Sequence, residues 1–281
     1  MQSHILKTWF FHLTRHFIMG SISFIFLFPL LWMVLGGFKT NNEIWQQPYR
    51  LLPGNWHFTD VFNTARGIQF GPYIFNSLLV GIVGSAATIL CAALFAYALV
   101  FVKGRFHHRL FWLVLVTYML PSAVTYVPSY VLLARMNLLD SLTGLMFSNL
   151  ASVFAVFFLR QSFLKMNYEY IEAAQMDGAS HLAILRHVVY PMNKPAFITV
   201  GLLTFVQNYS SYMWPSIILS SREKLLVSQG LRQFFIQEGA YGMNWSEVML
   251  GSTLTVIPIL VIFALGQRWF TTGITEDSGL K

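Results

Sequence analysis

The side chains of this chain that could do chemistry fall in two places. One is the run Gln207, Asn208, Tyr209, Ser211, Tyr212 and Trp214, next to Pro215, which can open a helix locally. Amides, hydroxyls and aromatic faces together suit a neutral polyhydroxylated ligand, because a pyranose offers C–H surface on its faces and hydroxyls at its edges. The same aromatic residues would also suit a belt at a membrane interface, and Trp214 could serve only that. The other place is residues 169–191, EYIEAAQMDGASHLAILRHVVYP, where Glu169, Glu172, Ala173 and Met176 share a helical face.

Catalytic chemistry is missing. No G-x-x-x-x-G-K-S/T phosphate loop, no H-E-x-x-H and no G-x-S-x-G occurs, so neither nucleotide, zinc-hydrolase nor serine-hydrolase chemistry is expected of this chain. His12 and His16 share a helix face beside Arg15 but have no acidic or thiol third ligand, His107 and His108 diverge in a tight turn, and His181 and His187 are spaced for opposite faces. No metal is expected. Cys91 is the single cysteine, which excludes disulfides and thiolate metal sites. Nothing points to nucleic acid.

The elements that must position these residues are membrane helices. Of 281 residues 56% are hydrophobic and only 10% charged, too little polar surface for a soluble domain of this size. Six apolar blocks, roughly 16–38, 75–102, 110–135, 143–164, 196–220 and 247–271, are each long enough for a hydrocarbon core of about 30 Å. The first is too long for a signal peptide, and no small-x-small cleavage site follows it cleanly, so it reads as a retained anchor. With the N-terminus inside, eleven Lys and Arg fall on the cytoplasmic side and seven outside, and the turn KGRFHHR at 103–109 contributes most. No Asp, Glu, Lys or Arg stands near the middle of a block, which disfavours a proton- or sodium-driven carrier. Energy must come from elsewhere.

Between the blocks, the outside loop at about 39–71 reads as irregular with a short helix, and 221–246 as carrying an interfacial helix near 225–235. Gly81, Gly84, Ser85, Thr88, Cys91, Ala92 and Ala96 form a small-residue seam for close helix packing. Pro121 and Pro128 should kink the third block, either as architecture or for function. In 169–191 the first helix ends at Asp177-Gly178, where Gly tolerates the left-handed conformation. Ser180 is placed to cap a second helix whose Leu182, Leu185, Val188 and Val189 share a face, and Pro191 ends it. Two amphipathic helices at an angle fit a socket in another protein, or lie on the membrane surface.

The stretch EAAQMDGA, 172–179, resembles the E-A-A-x-x-x-G signature of the permease subunits of bacterial ABC importers, with Val188, Tyr190 and Pro191 where that family has I-x-L-P. AYALVFVKGR (96–105), MLPSAVTYVPSYVLLARMNLLDSLTGL (119–145), FFLRQSFL (157–164) and QRWFTTGIT (267–275) are similar to the carbohydrate-uptake branch, the maltose-type and glycerol-phosphate-type second permease. Three departures stand out: Asn167 in place of Pro, Asn137 in place of Gly, and Tyr209-Ser210 in place of Trp-Asn. The resemblance implies a single all-α permease domain over 1–281, with six transmembrane helices and a cytoplasmic coupling loop at about 166–195, of the type I importer class. It implies that Glu169, Glu172, Ala173, Ala174, Asp177, Gly178 and Ala179 dock on an ATPase subunit, with the fifth span along the solute path. The implied partners are a second permease, two ATPase subunits carrying ATP and Mg, an extracytoplasmic solute-binding protein and membrane lipid. The implied location is the bacterial inner membrane.

A neutral sugar, oligosaccharide or polyol is the expected solute, because no Arg or Lys lies deep in any block. Glycerol phosphate or another modified solute is the alternative, and a stand-alone channel or carrier is the reading from a different class. The topology has a direct test. Single cysteines at Thr59 and Ser180 in a Cys91→Ala background should be labelled by an impermeant thiol reagent from opposite sides, and same-side labelling would refute six spans with both ends inside.

Overall fold

The structure is a computed structural model that describes residues 2–56, 70–102, 104–237 and 244–277. Thr59, Arg66, Gly67, Lys103 and the last four residues lie outside the described residues. In chain order the helices are α1 (Gln2–Gly36), α2 (Asn41–Gln46), α3 (Phe70–Leu79), α4 (Ser85–Phe101), α5 (His107–Tyr118), α6 (Ser122–Arg135), α7 (Leu142–Ser148) and α8 (Val153–Leu164). They continue as α9 (Glu169–Met176), α10 (His181–Ile184), α11 (Tyr190–Met192), α12 (Lys194–Tyr209), α13 (Met213–Ile218), α14 (Val227–Gln237) and α15 (Trp245–Asp277). No strand occurs among the described residues.

Phe11–Gly36, Phe70–Phe101 and Trp245–Gln267 are long and apolar enough to cross a membrane as single helices. Two bent pairs, α5 with α6 and α7 with α8, add two more when each pair is taken as one span. Pro121 lies at the first bend, whereas Pro128 is accommodated inside α6. The block expected at 196–220 is divided. The sixteen residues of α12 stop at Tyr209, residues 210–212 break the helix, and the six residues of α13 follow, so neither part has spanning length alone. A cause is local: the Ser210 hydroxyl back-bonds to the Val206 carbonyl at 2.5 Å, and Pro215 has no N–H to continue the ladder.

The described residues form two compact units, Met1–Gln69 with Leu231–Val256, and Phe70–Gly230 with Ile257–Lys281. In the first, α1 approaches the start of α15 so closely that a Cβ on Gly37 would lie 3.3 Å from the Leu250 backbone. Helix α2 is the short helix expected in the outer loop and carries a full capping box: the Glu43 N–H donates to Thr40 Oγ1 at 3.3 Å, and the Thr40 N–H to Glu43 Oε2 at 3.1 Å.

In the second unit α3 and α4 join through a π-helical turn, Val80–Gly84, and form one rod. Gly81, Gly84, Ser85, Thr88, Ala92 and Ala96 are all buried along it, as the small-residue pattern predicts. Cys91, expected in this seam, is exposed one position off the stripe and takes no part in it. One core gathers Ala92, Ala96, Leu159, Phe163, Phe197 and Val200 with Ile171, Ile184 and Val189. A second gathers Val80, Leu133, Leu145, Trp214, Ile218 and Leu226.

The turn between α6 and α7 uses left-handed residues, Asn137 at φ 55° and Asp140 at φ 48°. Asn adopts this conformation more readily than other side-chain-bearing residues, so Asn137 keeps the geometry a Gly would supply. Asp140 then clasps the chain beyond α13. Its Oδ2 accepts from the Ser221 hydroxyl and, at 3.0 Å, from Lys224, and its Oδ1 accepts the Ser221 and Ser220 N–H groups at 2.9 Å each. These donors, the Ser221 hydroxyl first, hold the Asp140 carboxyl well below the usual carboxylate range. A depressed carboxyl contributes stability above its unfolded value, about pH 3.9, and loses it as pH falls towards the folded value. Asp140→Asn should therefore lower the thermal midpoint of the purified protein at neutral pH, with the gap to wild type closing on acidification below about pH 4. A gap independent of pH would show that the clasp is not electrostatic.

Candidate functional site

A cleft of about 660 Å³ opens within the second unit where its helices are broken. Thr117, Tyr118 and Leu120 border it from the α5–α6 bend, Thr125, Tyr126 and Ser129 from α6, and Ser148 to Phe154 from the α7–α8 bend, Leu150 excepted. Thr204, Gln207 and Asn208 of α12 close it together with Ser211, Trp214 and Thr88. A helix break frees carbonyls and N–H groups, and polar side chains collect there because hydrocarbon offers no other partner. Hydroxyls, amides and aromatic rings dominate the lining, and it contains no Lys, Arg, His, Asp or Glu.

The floor is a hydrogen-bonded chain. The Asn208 amide donates to Ser85 Oγ at 3.1 Å, and its Oδ1 accepts from the Asn149 amide at 3.3 Å. The Thr88 hydroxyl lies 3.0 Å from the Asn149 carbonyl and 2.8 Å from that of Gly84. One wall is Trp214, whose indole N–H donates to Ser148 Oγ at 2.8 Å while its ring stacks on Tyr126 at 5.4 Å and 20°. At 8% exposure it is walled in by this unit and takes no place in a lipid-facing belt. Gln207, in contrast, is exposed, and its side chain makes no hydrogen bond to any described residue.

Of the six residues expected along a solute path, Gln207, Asn208, Ser211 and Trp214 border the cleft, and Tyr209 and Tyr212 do not. The Tyr209 ring is fully buried against Phe205, centroids 5.5 Å apart, on the side of α12 that meets Gly81, where a Cβ would come within 2.7 Å of the Phe205 ring. It faces away because α12 turns about 100° per residue, so Tyr209 lies about 200° round the helix from Gln207. Thr88, Tyr126, Ser148 and Asn149 were missed. The i, i+4 spacing of Thr125 and Ser129 on a helix otherwise rich in apolar residues is the one signal that pointed to this lining.

The stretch 169–191 forms a compact elbow. Asn167, in place of the usual Pro, opens α9 by accepting the Glu169 N–H at 3.1 Å. The turn is a Schellman-type end: Gly178 sits at φ 77° and the Ala179 N–H reaches the Ala174 carbonyl at 3.0 Å. Ser180 caps α10 through the Ala183 N–H at 3.3 Å, as its position predicts. The buried face is Ile184, Leu185 and Val189, not Leu182, which is 67% exposed. A π-helical turn, Leu185–Val189, rephases the helix and leaves room for the Pro191 ring, so the helix continues to Met192 and does not end at Pro191.

The elbow has two sides. Its inner side is pinned by Ile171, Ile184 and Val189, by Tyr97 Oη at 3.0 Å from His181 Nδ1, and by buried Asn193, which donates to the Val189 carbonyl and accepts from Ser162. Its outer side presents Glu169, Glu172, Ala173, Met176, Asp177 and Gly178, all exposed, with Ala174 and Ala179 half-buried behind them. Among the described residues no three His, Cys, Asp or Glu side chains are grouped to hold a metal ion.

Nothing lies within 4 Å of the place where a Cβ on Gly178 would project, so only its positive φ resists substitution. Gly178→Val should therefore weaken the turn by roughly 1–2 kcal/mol and speed proteolysis within 166–195, while Gly178→Asn stays near wild type. Equal digestion rates for all three would remove the left-handed turn as the constraint.

Residues 88–276 match the family described as the binding-protein-dependent transport system inner membrane component. The chain is 32% identical over 262 residues to the sn-glycerol-3-phosphate transport system permease protein UgpE of Yersinia pestis bv. Antiqua (strain Antiqua), covering 90% of this chain and 92% of that one. It is 29% identical over 268 residues to the arabinooligosaccharides transport system permease protein AraQ of Bacillus subtilis (strain 168), covering 94% and 93%. Its fold matches a chain of a bacterial ABC transporter involved in the import of the acidic polysaccharide alginate, with a TM-score of 0.80 at 20% identity, over 93% of this chain and 96% of that one.

Proposed function

Because the chain belongs to the family of binding-protein-dependent transport system inner membrane components, we propose that it is a permease subunit that passes a neutral sugar, oligosaccharide or polyol through the 660 Å³ cleft. The observation that carries the solute class is the lining, which offers hydroxyls, amides and the stacked Tyr126–Trp214 pair but no charged side chain. Such a surface matches sugar edges and faces and leaves a phosphate without a cation. The relatives divide between two readings. One is named for arabinooligosaccharides, which agrees with a neutral lining, and another for sn-glycerol-3-phosphate, so a phosphorylated solute whose cation comes from a partner chain is the alternative.

The chain works as one permease domain in the bacterial inner membrane beside a second permease, two ATPase subunits and an extracytoplasmic binding protein. ATP and Mg belong to the ATPase subunits, and this chain forms no covalent bonds. The coupling surface is Glu169, Glu172, Ala173, Ala174, Asp177, Gly178 and Ala179. Its support is the two-sided elbow: an inner face anchored in the core can transmit a push that an outer face receives. Ile171 is fully buried, and trimming such an anchor to Ala typically costs about 2–5 kcal/mol, enough to let the elbow move independently.

The test is uptake by the assembled transporter in vesicles, with neutral oligosaccharides and a phosphate ester compared side by side. Gln207→Ala removes a cleft amide that supports nothing in the fold, so it should lower neutral-solute uptake by about fivefold, the loss of one neutral hydrogen bond of ~1 kcal/mol, with membrane levels unchanged. Transport of the phosphate ester alone, unaffected by Gln207→Ala, would overturn both the solute class and the path.

A further inference from the structure

One cation of the second unit has no counter-ion among the described residues. Arg160 lies one turn before the end of α8 and places its guanidinium 3.9 Å from the centroid of the Phe111 ring, one turn inside the start of α5. Its Nε is buried and makes no hydrogen bond, and no carboxylate among the described residues pairs with it. None is near in sequence either: there is no Asp or Glu from 70 to 139 or from 141 to 168.

The surroundings indicate what the missing group is. On α8, Phe157, Arg160 and Leu164 follow the i, i+3, i+7 spacing of one face, with Phe157 40% and Leu164 50% exposed, so this chain leaves the face open. At the same end, exposed Arg105 and Arg109 and the aromatic residues Phe106 and Trp112 flank the start of α5, with Trp112 Nε1 donating to His108 Nε2 at 2.9 Å and Arg109 at 6.0 Å from the Phe106 ring. Apolar surface, then an aromatic and basic band with no acid, is the order of groups met on moving from hydrocarbon to a headgroup layer. An arginine one turn inside the helix end holds its guanidinium on the ring and can still direct its terminal N–H groups at that layer. We propose that Arg160, seated on Phe111, binds the phosphate of an anionic phospholipid on the membrane side marked by the basic turn at 104–109.

The site is independent of the solute and is tested without transport. The intact purified complex is equilibrated with mixed phosphatidylglycerol and phosphatidylcholine in detergent, and its retained lipid is measured by native mass spectrometry. Wild type should retain phosphatidylglycerol selectively. Arg160→Gln should reduce that retention by about tenfold, the loss of one charge-assisted hydrogen bond, and Arg160→Lys should restore only part of it, since a point charge lacks the planar fork. Arg135→Gln, at the opposite end of the neighbouring α6, should change nothing. If Arg160→Gln fails to accumulate, Phe111→Leu keeps the charge, removes its platform and should give an intermediate loss. Unchanged phosphatidylglycerol retention in Arg160→Gln or in Phe111→Leu overturns the proposal. So does displacement of the lipid by excess inorganic phosphate, which would mark a free-anion site, or release of a partner subunit with retention intact, which would mark a protein carboxylate as the counter-ion.

Discussion

A backbone carbonyl or N–H opened inside a hydrocarbon layer has no water to turn to, and the broken helices of the second unit are built around that constraint. The break at 210–212 exposes the Ser211 carbonyl, and the Ser228 hydroxyl of α14 takes it at 2.6 Å. The end of α7 exposes the Asn149 carbonyl, and Thr88 of α4 lies 3.0 Å from it. At the end of α13 the Ile218 carbonyl receives the Asp140 N–H at 2.8 Å. The first two repairs bring a polar side chain from a distant element to the break, and the third brings a backbone N–H. The cleft is the space these repaired breaks enclose.

The same bonds make the cleft wall rigid. Asn208 uses its amide nitrogen on Ser85 and its oxygen on Asn149, so it holds α4, α7 and α12 together and has little left for a ligand. The Gln207 side chain, one residue earlier, bonds to no described residue and is exposed at the cleft. Adjacent residues on one helix thus differ: Asn208 holds the cleft wall together and Gln207 only borders it. Trp214 does some of each, with its N–H committed to Ser148 and its ring paired with Tyr126.

The elbow at 169–191 answers a different physical demand, since it lies outside the spans. Its backbone breaks use local devices, an Asn167 side-chain acceptor, a left-handed Gly178 and a Ser180 cap, which need no partner from the rest of the chain. What the rest of the chain supplies is the anchor. Ile171, Ile184 and Val189 enter the same core as Ala96, Leu159 and Phe163, so movement of the elbow loads directly onto α4 and α8.

Local features were therefore legible in the amino-acid sequence. The helical blocks, the seam from Gly81 to Ala96, the turn at Gly178 and the cap at Ser180 each follow from neighbours within about one or two helical turns. The phase of a face across an irregular turn was not: one π-helical turn put Ile184 inside and Leu182 outside. Nor could residues 207–214 reveal by type alone that Tyr209 packs inward while Ser211 and Trp214 face the cleft. Apart from Thr204, the remainder of the lining comes from residues more than 50 positions away, such as Thr88, Tyr126 and Ser148, and a hydroxyl or phenol on an apolar helix carries no mark of which cavity it meets. Helix formation and turn chemistry are short-range and are written locally. The cleft depends on which broken helices lie side by side, and only tertiary packing decides that, because each freed backbone group is satisfied by whichever element the fold places opposite it.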